Sequence, residues 1–283
     1  MSRDGFDLVY DRIGTGPAVV LLHGWPGDRT DYAEVVRALA GGADVVVPDL
    51  RGFGESDKHD VDPAEQYGVG GQARSVIGLI EDLGLDRPVI GGYDIGSRIA
   101  QTVARFRPDL VRAQVLTPPL PGVGGRVLNA DTQREFWYQT FHRLDLAEQL
   151  IDGRPDAVRA YLRHFWQSWS GPGFALDEDR LSHLVDRYGS PGAFLASINW
   201  YRASAPATER YQAERPPDPA DRITVPTSVL WPLHDPLFPV EWSDRLSEYF
   251  LDVRVRRLEN VGHFVPVEAA NAFADAIRDY LMP

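Results

Sequence analysis

The chain has 283 residues but no cysteine, one lysine and two methionines. Without cysteine there can be no disulfide, no thiolate-held metal and no cysteine nucleophile. Positive charge is also in short supply: 29 Lys and Arg face 41 Asp and Glu, a net charge of −12. That balance argues against nucleic acid and anionic membrane surfaces as partners. No apolar run reaches the length of a transmembrane helix. The opening Met1-Ser2-Arg3-Asp4-Gly5 lacks the basic-then-apolar pattern of a secretory signal, so cytoplasmic residence is the expectation. No Gly-x-x-x-x-Gly-Lys loop is present to cradle a nucleotide. His142, His164, His183 and His234 show no metal-ligand spacing with carboxylates, so neither a metal nor a cofactor is expected. Lys58, alone among the arginines, reads as a coding bias and not as a functional residue.

What remains is ordinary globular material, 43% hydrophobic and 25% charged. The length allows one large core, or a core with an inserted cap. Residues 6–13 alternate weakly, as an edge strand does. Ala18–Leu22 and Val45–Val47 are short continuous apolar runs, the pattern of strands buried on both faces. Val89-Ile90 and Val111–Leu116 continue it. Helical periodicity fills 31–40, 69–83 and 97–106 between them. Strands alternating with helices predict an α/β fold, a mostly parallel central sheet covered on both faces. From about 122 to 222 strand patterns cease, and helical spacing recurs in 135–151, 155–169, 177–188 and 192–203. Strand patterns resume at Thr227–Trp231 and Val253–Val255, before a last amphipathic helix over 266–281. The expected organisation is a core of residues 1–121 and 223–283, with a helical lid of 122–222 inserted.

Gly92-Tyr93-Asp94-Ile95-Gly96 joins a predicted strand to a predicted helix. Small residues around one central side chain in a strand–turn–helix context form a nucleophile elbow, with aspartate where serine is usual. A carboxylate there attacks carbon and leaves an alkyl ester. Taken alone, Asp94 is also a good helix N-cap. Ser97, one position past the elbow glycine, falls in the helix.

With that elbow, the segments His23-Gly24-Trp25-Pro26-Gly27, Asp49–Ser56, Trp231–Pro236, Gly262-His263-Phe264 and Asn199-Trp200-Tyr201-Arg202 make the chain resemble the α/β-hydrolase fold family, and within it the epoxide hydrolases. The resemblance spans nearly the whole chain. It implies that Asp94 is the nucleophile, that His263 is the base activating water, and that Asp235 orients the imidazole. The alternative acid position, after the preceding strand, reads Thr117-Pro118-Pro119 and offers no carboxylate. It implies that the backbone N–H groups of Trp25 and Ile95 form an oxyanion hole. His23 is then a loop-bonding residue. Tyr201, with Tyr138 in Trp137-Tyr138-Gln139 as its partner, would protonate the epoxide oxygen. A phenol, with a pKa of about 10, stays protonated at neutral pH and suits that task. Trp25, Phe136, Trp137, Trp200 and Phe264 are expected to line an apolar pocket. The implied partners are a small hydrophobic epoxide and water, with the protein a monomer or homodimer.

Two other functions compete. A haloalkane or haloacid dehalogenase would use the same Asp94. Haloalkane dehalogenases usually follow the nucleophile with tryptophan, where this chain has Ile95. Fluoroacetate dehalogenases place arginine there and again three residues later, and only Arg98 matches. The third possibility is a non-catalytic small-molecule binder, because fold does not fix function.

Overall fold

The computed structural model describes residues 4–281. Seven strands form one sheet: β1 (Tyr10–Gly14), β2 (Ala18–Leu22), β3 (Asp44–Pro48), β4 (Val89–Gly92), β5 (Ala113–Leu116), β6 (Thr227–Pro232) and β7 (Val253–Leu258). Their order is β1-β3-β2-β4-β5-β6-β7. β1 pairs antiparallel with β3, and every other pair is parallel. The fold is therefore an α/β-hydrolase-type sheet, mostly parallel as its sequence predicts.

The burial pattern explains the arrangement. All five residues of β2 and all four of β4 and of β5 are buried, matching their unbroken apolar runs. The edge strands differ. β1 is exposed throughout, and β7 exposes Arg254, Val255, Arg256 and Arg257. Charge on an edge discourages further strands from pairing there.

Some boundaries depart from expectation. The first strand begins at Tyr10, not residue 6; beyond its end Val9 O still accepts from Asp49 N, beside the Tyr10–Pro48 pair. The periodic stretch 135–151 is broken into helices ending at Glu135, spanning Trp137–Phe141 and spanning Asp145–Ile151. Leu144, with extended backbone, separates the last two. The final helix divides into Val265–Glu268 and Ala270–Arg278 around Ala269. Helix Ala207–Ala213 and the 3₁₀ segment Val240–Glu248 had no counterpart in the sequence reading.

No strand lies between residues 122 and 222. Helices Pro155–Ser168, Glu178–Tyr188 and Ala193–Arg202 dominate this stretch. Its buried aromatics and the sheet's aliphatic residues belong to one contiguous apolar cluster. No helix among the described residues is long and apolar enough to cross a membrane.

Candidate active site

Four loops leave the carboxyl ends of parallel strands and meet. One follows β2 and carries Trp25; one follows β4 and carries Asp94; the others follow β6 and β7 and carry Asp235 and His263. In open α/β sheets that end is where ligands bind.

Asp94 occupies the turn between β4 and the helix Ile95–Phe106, with φ 49° and ψ −123°. A non-glycine residue in such a sparsely populated region costs about 1–3 kcal/mol, and strain of this kind concentrates at functional positions. The turn is too tight for side chains beside it: a Cβ on Gly96 would meet Leu22 O at 2.1 Å. Although Asp94 stands at the N-cap position, its side chain makes no cap hydrogen bond. Its Oδ1 instead accepts from Trp25 N at 2.9 Å. Among the described residues no other backbone amide bonds this carboxylate. The Ile95 N–H, in the first turn of the helix, is one of the donors a helix leaves without an internal partner. Ser97 lies inside the helix and is fully buried.

His263 is buried between two carboxylates. Nδ1 lies 2.9 Å from Asp235 Oδ2, and Nε2 lies 3.4 Å from Asp94 Oδ2 without hydrogen-bond alignment. Burial by itself lowers the imidazole pKa. The charges of Asp235 and then Asp94 outweigh it and raise the value to about 10. Asp235 is held in turn by Leu237 N, which donates to Oδ1 at 2.8 Å. Glu268 fixes the histidine loop by accepting from Gly171 N, Gly262 N and Phe264 N at 2.7, 2.8 and 3.1 Å.

Tyr138 and Tyr201 come from helices Trp137–Phe141 and Ala193–Arg202, and both are buried. Their ring centroids are 5.6 Å apart and lie 5.8 and 6.0 Å from Trp25. Burial, then the charge of Asp94, pushes the Tyr138 pKa well above the usual phenol range. For Tyr201 the causes are burial, then Tyr138 and Asp94. Both hydroxyls therefore hold their protons across the neutral range, and Tyr138 Oη accepts from Gln139 Nε2 at 3.1 Å.

The remaining expected pocket residues divide. Trp25 is fully buried at the centre, ringed by Tyr138, His142, Tyr161, Phe165, Trp169 and Tyr201. Phe264 packs behind the histidine, stacked on Trp166 at 3.8 Å. Phe136 is buried against Phe238 and Tyr211. Trp200 is buried but makes no ring contact among the described residues. Trp137 is a correction: it is 42% exposed and packs over Phe165, Phe141 and His164. Neighbouring residues on a helix point about 100° apart, so an inward Tyr138 turns Trp137 outward. His23 ties two loops together: Nδ1 lies 2.9 Å from Gly24 O in its own loop, and Nε2 accepts from Leu50 N, in the loop after β3, at 3.0 Å.

Sequence reasoning missed two features. His142 and Tyr161 pack against Trp25 and are joined Nε2 to Oη at 3.0 Å. Burial, then Arg202, lowers the His142 pKa so that it stays neutral. The second is a set of polar ties from the helical layer to the loop carrying Trp25. His183 Nε2 meets Asp28 at 2.6 Å, Arg180 meets Asp31 at 2.8 Å, Trp166 Nε1 donates to Pro26 O, and Tyr188 Oη donates to Gly27 O. These join residues more than 130 positions apart, and no local pattern announces them.

A family profile described as alpha/beta hydrolase fold matches residues 17–270. The soluble epoxide hydrolase of Corynebacterium sp. (strain C12) is 28% identical over 287 residues, which is 99% of this chain and 95% of that relative. Haloalkane dehalogenase 2 of Mycobacterium tuberculosis (strain ATCC 25618 / H37Rv) is 28% identical over 282 residues, 93% of this chain and 87% of that relative. Among solved structures, an epoxide hydrolase determined without ligand superposes with a TM-score of 0.85 at 27% identity, covering 99% of this chain and 96% of that one.

Proposed function

Because this chain belongs to the α/β-hydrolase fold family, we propose that it is an epoxide hydrolase working through a covalent ester on Asp94. Residues 122–222 act as its lid. The observation that carries the reading is the grouping of an aspartate elbow, a histidine between two carboxylates, and two buried phenols under the influence of Asp94.

An oxygen of Asp94 attacks one epoxide carbon, and the carbon–oxygen bond of the ring breaks. The developing alkoxide takes a proton from Tyr201 or Tyr138. In the resting enzyme His263 is the imidazolium, held by two negative charges. Esterification removes the charge on Asp94, and with it part of what keeps His263 protonated. The proton His263 gives up restores the phenol. His263 is then neutral, oriented by Asp235, and draws a proton from water as the water oxygen attacks the ester carbonyl. The oxyanion forms beside the N–H groups of Trp25 and Ile95; one such donor is worth about 3–4 kcal/mol in the transition state. Collapse releases a vicinal diol, its leaving oxygen taking the proton from His263, and the water proton left on the Asp94 carboxyl passes to His263 to restore the resting pair.

One turnover in heavy-oxygen water tests this. The label appears first on Asp94, and only later turnovers carry it into diol. A first-turnover diol bearing the label would remove the covalent route. Chloride release from chloroalkanes, with no diol from styrene oxide, would move the assignment to a dehalogenase.

A further inference from the structure

Away from the catalytic loops, one cleft runs against the charge of the molecule. It has a volume of about 410 Å³ and lies beside the helix Ile95–Phe106. Arg98, Arg105, Arg210 and Arg215 line it, with Glu214 the only carboxylate among the lining residues. Glu214 is engaged by Gly124 N at 3.1 Å. Most buried or half-buried arginines here face acids, as Arg29 does Asp49 and Arg180 does Asp31. Among the described residues, none of the four cleft arginines forms an ion pair. Arg98 reaches only the Tyr211 hydroxyl, at 3.5 Å, and Arg210 Nε reaches Ala205 O. Burial, then the like charge of Arg98, lowers the Arg210 pKa to about 10. Four like charges set against one carboxylate repel one another, and an anion in the cleft would relieve that repulsion.

A second observation points the same way. Tyr249 also lines the cleft, is 3% exposed, and its buried hydroxyl has no hydrogen-bond partner among the described residues. A buried hydroxyl without a partner costs free energy that a ligand oxygen would recover.

The cleft adjoins the catalytic site. Arg98 follows Asp94 by one helical turn, its N–H directed to Asp94 O at 3.4 Å. Tyr211 packs on Phe136 at 6.5 Å, and Arg210 lies near enough to Tyr138 and Tyr201 for them to act on its charge. Val69, Phe106 and Ile223 supply apolar wall between the charges.

We propose that this cleft binds the carboxylate of the substrate, so that the epoxide presented to Asp94 carries an acid group at its far end. The inference rests on the epoxide hydrolase reading and narrows it to epoxy acids. At 1.5 Å per residue, Arg98 and Arg105 lie about 6 and 16 Å along the helix from Asp94, the span of a medium-length aliphatic chain.

Two measurements test it. Calorimetry with decanoate and methyl decanoate probes the cleft without turnover. Decanoate binds and the ester does not, with affinity about tenfold weaker in Arg210→Gln and in the exposed Arg105→Gln, the scale of one charge-assisted hydrogen bond. The terminal epoxide of undecenoic acid and its methyl ester then probe turnover. Wild type favours the acid in kcat/KM by about tenfold, and the ratio falls toward one in both variants. Equal turnover of acid and ester, or decanoate binding no better than its ester, overturns the acid subsite and leaves epoxide hydrolysis standing. Decanoate binding that depends on Arg210, with no diol from either epoxide, keeps the anion site and removes the epoxide hydrolase reading. Inorganic phosphate that fills the cleft without competing with the epoxy acid also overturns the proposal.

Discussion

Nε2 of His263 lies 3.4 Å from Oδ2 of Asp94, so the proposed base and the proposed nucleophile face each other before any substrate arrives. The imidazole pKa of about 10 depends on that neighbour as well as on Asp235. In Asp94→Asn one of the two negative charges is gone, and the His263 titration moves down from about 10. Histidine-selective NMR reads the shift. The folded value exceeds the ordinary value of about 6.5. The stability this proton contributes is therefore whole below about pH 6.5 and is lost as pH rises through about 10. Thermal unfolding of Asp94→Asn should show a smaller loss over that alkaline interval than wild type does. An unchanged titration would mean that Asp94 does not govern the imidazole.

Separating the two chemical steps gives the second prediction. His263→Gln leaves Asp94 able to attack but removes the base that hydrolyses the ester. Mixing this variant with a styrene oxide panel should yield a stable adduct on Asp94, visible by intact-protein mass spectrometry, with turnover reduced at least about 1,000-fold. Asp94→Ala should form no adduct. An adduct elsewhere on the chain would displace Asp94 from its role.

The sequence disclosed these parts unevenly, and the reasons are physical. β2, β4 and β5 are buried on both faces, and Val19–Leu22 or Val89-Ile90 cannot be mistaken for surface. The elbow was legible because Gly92 and Gly96 are forced by contact with backbone: a Cβ at either would fall within 2.6 Å of a carbonyl oxygen. The break at Leu144 was not, since leucine is apolar and periodic whether or not the helix continues. Trp137 was misplaced because composition reveals an aromatic residue but not the azimuth it takes on its helix. The cleft arginines come from positions 98, 105, 210 and 215, and only tertiary packing makes them neighbours.

The two phenols should share the work of ring opening. Tyr201→Phe and Tyr138→Phe each remove one donor while keeping the ring that packs on Trp25. Each single variant should lose about tenfold to a hundredfold in the rate of alkylation, and the double variant should approach the full range of general-acid catalysis, about 10²–10⁴. Hydrolysis of the ester, once formed, should be little changed, so adduct should not accumulate. Rapid-quench measurement separates the steps. Accumulated ester in either variant would assign that tyrosine to the second step instead.

The contact of His183 with Asp28 bears on the oxyanion donor, because Asp28 belongs to the same loop as Trp25. The hydrogen bond to Asp28 raises the His183 pKa against its partial burial. Burial works against the Asp28 charge, but the bonds from His183 and Thr30 hold its pKa below the usual carboxylate range. The signs fix a window. His183 lies above its ordinary value of about 6.5, so its contribution is whole below that pH and is lost as pH rises through the folded value. Asp28 lies below its ordinary value of about 3.9, so its contribution is whole above that pH and is lost only on further acidification. His183→Ala should therefore cost more stability at pH 6 than at pH 9, on the order of 1–2 kcal/mol at the lower pH. Because Trp166, Arg180 and Tyr188 still hold the loop, kcat should fall only a fewfold, and should fall most where the pair is charged. A stability loss independent of pH would show that the contact is held by packing and not by charge.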